Sequence, residues 1–152
     1  MDQRAEEIVK AFPSLSYDKN FKITSPENPD YNCIAWTYGK VNCWMWPNED
    51  SDGVDYWPNN YLGGPDVKAF IEAFKKIGYE VCENDELEDG FLKIALYTIP
   101  HTTECTHAAR QLNNGCWTSK LGSSNDIQHS TPYSIQGRLY GNVYCILKTK
   151  IT

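Results

Sequence analysis

The sequence is short of positive charge: 14 Lys and Arg stand against 20 Asp and Glu in 152 residues, a net charge of −6. With no basic field to hold a phosphate backbone, nucleic acid is not expected as a partner. No run approaches the roughly 18 apolar residues of a membrane-spanning helix, so a membrane partner is not expected either. The opening MDQRAEEIVKAF has no basic segment followed by an apolar stretch, the pattern of a secretory signal, and a cytoplasmic location is the expectation. No C-x-x-C pair occurs, and His101, Cys105 and His107 in HTTECTH fit none of the usual structural zinc spacings. Neither a metal nor any other cofactor is expected. Repeats and low-complexity tracts are also missing. The length suits one core, so a single domain over residues 1–152 is expected, with residues 1–30 as a helix and an irregular lead-in.

What is present begins with six cysteines: Cys33, Cys43, Cys82, Cys105, Cys116 and Cys145. Several lie in apolar runs such as EVCE and NVYCILK, where a reduced cysteine packs as a small hydrophobe, and free thiols are the expectation. Residues 3–12 read as a short helix, and NCIAWTYG begins a second helical stretch after the Pro-rich SPENPDY. The clearest element is GGPDVKAFIEAFKKIGYEV. Val67, Phe70, Ile71, Phe74 and Ile77 form one stripe, Pro65 suits the first helical position, and Gly78 suits the stop. Beyond it the period falls to two, and YEVCE, FLKIALYT, CTHAARQL, CWTSKL and RLYGNVYCILKT read as strands. Helices followed by strands give an α+β class with an antiparallel sheet.

Two stretches carry chemistry. QLNNGCW places Asn-Gly between strand-like runs, a hairpin signal. Alternation on the first strand sets Cys105, His107, Ala109 and Gln111 on one face and Thr106, Ala108, Arg110 and Leu112 on the other. Small or polar neighbours leave room above the His107 imidazole. In DYNCIAW, Asn32 suits a helix N-cap, making Cys33 the first helical residue, where free backbone N–H groups lower a thiol's pKa and hold an oxyanion. A cap at Asn28 would bury Cys33 deeper in the helix. A thiol at a helix start with an imidazole from a strand is the arrangement nucleophilic acyl transfer needs.

YNCIAW resembles the nucleophile motif of papain-like cysteine hydrolases, in particular the bacterial cell-wall endopeptidases and amidases, and THAARQLNNGCWTSK is similar to the histidine strand of that branch. NCIAW, KIALY, THAARQL, WTSKLG and DIQH together also resemble a family of small bacterial proteins without an assigned activity. The papain-like resemblance implies a papain-like α+β fold, with the cysteine on a helix packed on a small antiparallel sheet. It implies Cys33 as nucleophile, His107 as general base and Asn32 as an oxyanion or orienting group. The third, imidazole-orienting position falls in WTSK, where the branch pattern is not kept. Asp126 is the preferred third group, because a carboxylate suits a developing imidazolium; Ser119 and His129 are the alternatives. A two-residue turn at Asn114 and Gly115 would put Thr118 and Lys120 on the His107 face, and a three-residue turn with a bulge at Gly115 would put Ser119 there.

Trp36, Trp44, Trp46, Trp57 and Trp117 are candidates for a substrate wall, offering aromatic faces to a peptide or sugar, although loop-rich regions also build cores from aromatics. Arg110 and Lys120 are candidates for holding a substrate carboxylate, against the commoner fate of solvated strand charges. Two functions are expected as alternatives. One is a thiol hydrolase or acyl transferase acting on an amide, isopeptide or γ-glutamyl bond. The other is a binding or inhibitor module of the same fold, which meets a protein partner through its aromatic segment.

Overall fold

A computed structural model describes residues 3–27, 31–38, 65–121 and 124–151. Three short helices precede or punctuate the strands: α1 (Gln3–Ala11), α2 (Cys33–Tyr38) and α3 (Val67–Lys75). The strands are β1 (Lys22–Ile23), β2 (Glu80–Cys82), β3 (Phe91–Thr98), β4 (Cys105–Gln111), β5 (Trp117–Lys120), β6 (Asp126–His129) and β7 (Asn142–Lys150). They form one sheet in the order β1-β6-β5-β4-β3-β7-β2, antiparallel at every pairing. The α+β papain-like expectation is thereby corrected. A seven-stranded antiparallel sheet dominates, and the cysteine sits on a helix of six residues. The chemistry of the chain explains why: from residue 79 onward nearly every apolar stretch alternates with period two and is rich in β-branched and aromatic residues.

Both faces of the sheet are covered. On one, Cys33 and Ile34 of α2 and Val67, Phe70 and Phe74 of α3 pack on Ile94, Leu96, Cys105, Ala108 and Leu147. On the other, Ile8 of α1, Phe12, Leu15 and Ile135 pack on Ala95, Tyr97, Ala109, Trp117, Ile127 and Ile146. These are called the α2 face and the α1 face. Val67, Phe70 and Phe74 are fully buried, each stabilising by about 1.5–3 kcal/mol. Ile77, placed on the same stripe from sequence, lies beyond the helix and is exposed. Asp66 caps α3 by accepting from the Lys68 amide, so Pro65 precedes the cap and is not the first helical residue. Gly78 ends the turn with a φ of +101°.

Strands β5 and β6 are unusual in being buried along their whole length while reading WTSK and DIQH. Polar side chains at such depth must find partners, and they concentrate the chemistry of the molecule on β4, β5 and β6. The DIQH strand and β1 were not expected as strands. DIQH carries a single aliphatic residue, and pairing on both edges makes it a strand where composition does not. Among the described residues no helix is long and apolar enough to cross a membrane.

Candidate active site

The β4–β5 hairpin has the longer of the two turns read from sequence. The Leu112 amide donates to Cys116 O at 2.7 Å, and Gly115 takes a φ of +88° in the three-residue loop between them. Gln111 therefore faces Trp117 and Arg110 faces Thr118, which sets Ser119 on the face of Ala109 and His107. A bulge then breaks the alternation at the other end of β4. Tyr97 pairs with His107 but Thr98 pairs with Cys105, leaving Thr106 extra. Cys105 consequently turns to the α2 face while His107 turns to the α1 face, where unbroken alternation had placed them together.

His107 is fully buried between two tyrosines. Tyr140 stacks on its ring at 3.9 Å between centroids and 6° between planes, and Tyr97 lies at 5.2 Å, tilted by 59°. Nε2 of His107 is 3.0 Å from Ser119 Oγ, which is 2.8 Å from Nε2 of His129, whose Nδ1 lies 2.7 Å from the Thr131 carbonyl. Of the three candidates for third group, Ser119 thus meets His107 directly and His129 stands behind it. Burial holds His107 well below the usual imidazole range and pushes His129 down to about 4, so both rings are neutral at pH 7. Nδ1 of His107 has no hydrogen-bond partner among the described residues.

Asp126 is not brought to His107. It belongs to the α2 face, where its Oδ2 accepts from Tyr31 Oη at 3.4 Å and its Oδ1 has no partner among the described residues. Lys120, opposite it in the sheet, is buried, not solvated. Its Nζ donates to Ser124 O at 2.8 Å and lies 5.0 Å above the Tyr31 ring. Burial raises Asp126, against the pull of the Ser25 hydroxyl and Lys120, and burial lowers Lys120, against the pull of Asp126 and Cys33.

Cys33 is the first residue of α2, as an Asn32 cap implies, and Asn32 is itself buried. The sulfur belongs to the α2 face. Going away from the turn, β4 and β5 pair only as far as Arg110 and Thr118. The Leu112 amide points toward β5, so by strand parity the Arg110 and Ala108 amides do too, and Ala108 lies past the end of the ladder. The Cys33 sulfur takes that amide, and α2 packs against both strands at the split. The nucleophile candidate thus meets the backbone that follows His107 from the α2 face, while the His107 imidazole turns to the α1 face. Its thiol is not acidic, however. Burial pushes it up to about 11, outweighing the Ala108, Ile34 and Cys33 amides and nearby Lys120, so the lowered pKa expected from the helix start is not found.

Trp117 lies in the α1-face core, 1% exposed, and forms no wall. Trp44, Trp46 and Trp57 lie outside the described residues, as does the Trp36 side chain. Cys33, Cys82, Cys105, Cys116 and Cys145 are free thiols. Among the described residues no three His, Cys, Asp or Glu side chains are grouped to hold a metal ion. Sequence reasoning missed Tyr140, the residue that fixes the imidazole plane. Its signal was the GRLYG spacing: Gly137 and Gly141 bond each other's backbone and close a tight turn that presents Tyr140 inward.

No curated protein and no solved structure matches the chain. A family model matches residues 22–148, most of the sheet described above, and by it the chain belongs to the family described as Domain of unknown function (DUF7689).

Proposed function

We propose that this protein is a thiol hydrolase or acyl transferase that attacks an amide, isopeptide or γ-glutamyl bond of a peptide-like substrate, with Cys33 as nucleophile and His107 as base. The observation that carries the reading is the unpartnered Nδ1 of a fully buried, neutral imidazole, borne by the residue next to the amide that holds the Cys33 sulfur. A buried polar atom without a partner costs about 1–3 kcal/mol, and a base awaiting a proton accounts for retaining it.

With the thiol raised and the imidazole lowered, the resting pair is uncharged. The Cys33 thiol proton passes to His107 Nδ1 as the sulfur bonds to the carbonyl carbon, and the backbone amides around the sulfur receive the developing oxyanion. The His107 imidazolium then protonates the leaving amine, and water or a second amine takes the acyl group from Cys33. We place this activity in the cytoplasm, which keeps the five described cysteines as thiols. Incubation with a p-nitrophenyl acyl ester, followed by peptide mass spectrometry, tests the pair. The expected result is acylation of Cys33, lost in Cys33→Ser and slowed roughly 100-fold in His107→Ala. Acylation of Cys33 no faster than that of Cys145 overturns it.

The 6% exposure and raised pKa of Cys33 favour a second reading, a binding module in which the thiol only packs. Under it, Cys33→Ala leaves binding to a protein partner intact and no acyl-enzyme forms.

A further inference from the structure

The geometry points to a one-way hydrogen-bond chain, from His107 through Ser119 and His129 to the Thr131 carbonyl, that holds the His107 proton on Nε2 and makes Ser119 and His129 positioning residues for the His107 base. The direction is set at the far end. A carbonyl oxygen only accepts, so at 2.7 Å from Thr131 O the Nδ1 of His129 carries a hydrogen. A neutral imidazole has one N–H, so His129 Nε2 is the acceptor. The Ser119 hydroxyl, 2.8 Å away, spends its single proton there. Only lone pairs then remain on Ser119 Oγ, and His107 Nε2 at 3.0 Å must be the donor. Nδ1 of His107 is left as a bare lone pair.

All three side chains are 0% exposed, so solvent has no place in the chain to reverse it. Tyr140, stacked flat on His107, and Tyr97 on its other flank fix the ring plane, so the lone pair has one direction as well as one identity. Serine suits the middle position for a physical reason. A carboxylate there would accept from both imidazoles and erase the direction, whereas a hydroxyl gives one proton and takes another. Residue types alone carried no hint of this, because the direction comes from a backbone carbonyl.

The catalytic meaning of the relay rests on the Cys33–His107 reading, but the tautomer does not, and the experiment separates them. Long-range proton–nitrogen NMR spectra of protein with labelled histidine, recorded at pH 7, read each ring nitrogen as pyrrole-type or pyridine-type. The expected result is a pyridine-type Nδ1 and pyrrole-type Nε2 on His107, with the reverse on His129, while exposed His101 serves as the averaged reference. In His129→Leu the two His107 nitrogens move toward averaged shifts, and His129→Gln, whose carboxamide oxygen accepts from Ser119, restores the contrast. A wild-type His107 protonated on Nδ1 overturns the relay without any variant having to fold, and so does a His107 contrast unchanged in His129→Leu. If the tautomers are as expected while Cys33 acylates no faster than Cys145, the relay stands and the thiol-enzyme reading falls.

Discussion

The two faces of β4, β5 and β6 carry two polar rows built on opposite principles. On the α1 face the row is His107, Ser119 and His129, neutral and chained by hydrogen bonds of 3.0 and 2.8 Å. On the α2 face it is Arg110, Lys120 and Asp126 near Tyr31, side chains of opposite sign, with Lys120 also near Cys33. The difference shows how one sheet keeps a buried imidazole chain apart from a row of oppositely charged side-chain types. Burial keeps the imidazoles neutral on the α1 face, whereas Lys120 and Asp126 on the α2 face each offset burial through the pull of the other.

The largest effect is expected on the α1 face. A Cβ at Gly141, where φ is +74°, would fall on the Thr98 carbonyl oxygen and lie 2.8 Å from its carbon. Gly141→Ala should therefore cost about 4 kcal/mol, a fall of roughly 10 °C in melting temperature, and displace Tyr140 from the imidazole. Near-ultraviolet circular dichroism, with a thermal melt, checks both parts.

Acid should separate the faces next. The His129 pKa drops from 6.5 when unfolded to about 4 when folded, so between those values the unfolded chain binds the proton and the folded one does not. Stability contributed by keeping this ring neutral is complete above pH 6.5 and is lost as pH falls toward 4, by about 3 kcal/mol. Asp126, raised in the fold, works with the opposite sign, losing stability as pH rises through the range above 3.8. Urea unfolding at pH 5 and pH 7 should show the histidine slope, and His129→Gln should reduce it to the part that buried His107 contributes.

Smaller effects sharpen the picture. Ser119→Ala leaves two buried imidazole nitrogens unpaired and should cost about 2 kcal/mol by urea unfolding, whereas Thr118→Ala, on the other face, loses one bond to Ile127 O and should cost about 1 kcal/mol. Gly115→Ala, whose Cβ would make only ordinary contact with Leu87 at 3.9 Å but would sit at a φ of +88°, should cost about 1 kcal/mol through backbone strain alone, while keeping the register that sets Ser119 beside His107. A heteronuclear NMR map of the hairpin decides that.

How much of this was legible in the sequence follows from what each signal depends on. Short-range signals were readable: the α3 stripe, the Asn-Gly turn and the start of α2 at Cys33 all rest on residues within one turn of each other. The bulge at Thr106 was not, because it arises from pairing with β3 and leaves no mark in CTHAARQ itself. DIQH gave no strand signal, and Asp126 was preferred as third group on its charge when the face it occupies was decided by pairing with β5. The raised thiol of Cys33 escaped for the same reason, since burial is a property of the whole fold.

Cys33 and Cys145 give the sharpest test of the proposed pair, because burial pushes both thiols up to about 11 and the proposal gives a base to Cys33 alone. The measurement is the rate of iodoacetamide alkylation of each, followed by peptide mass spectrometry from pH 6 to 9, in the wild type and in His107→Ala. If His107 serves as base, Cys33 alkylation is fast and nearly independent of pH across this range. In His107→Ala it falls to the Cys145 rate and climbs about tenfold per pH unit, as expected for a thiol that must ionise unaided. A wild-type Cys33 that already follows the Cys145 profile contradicts the account.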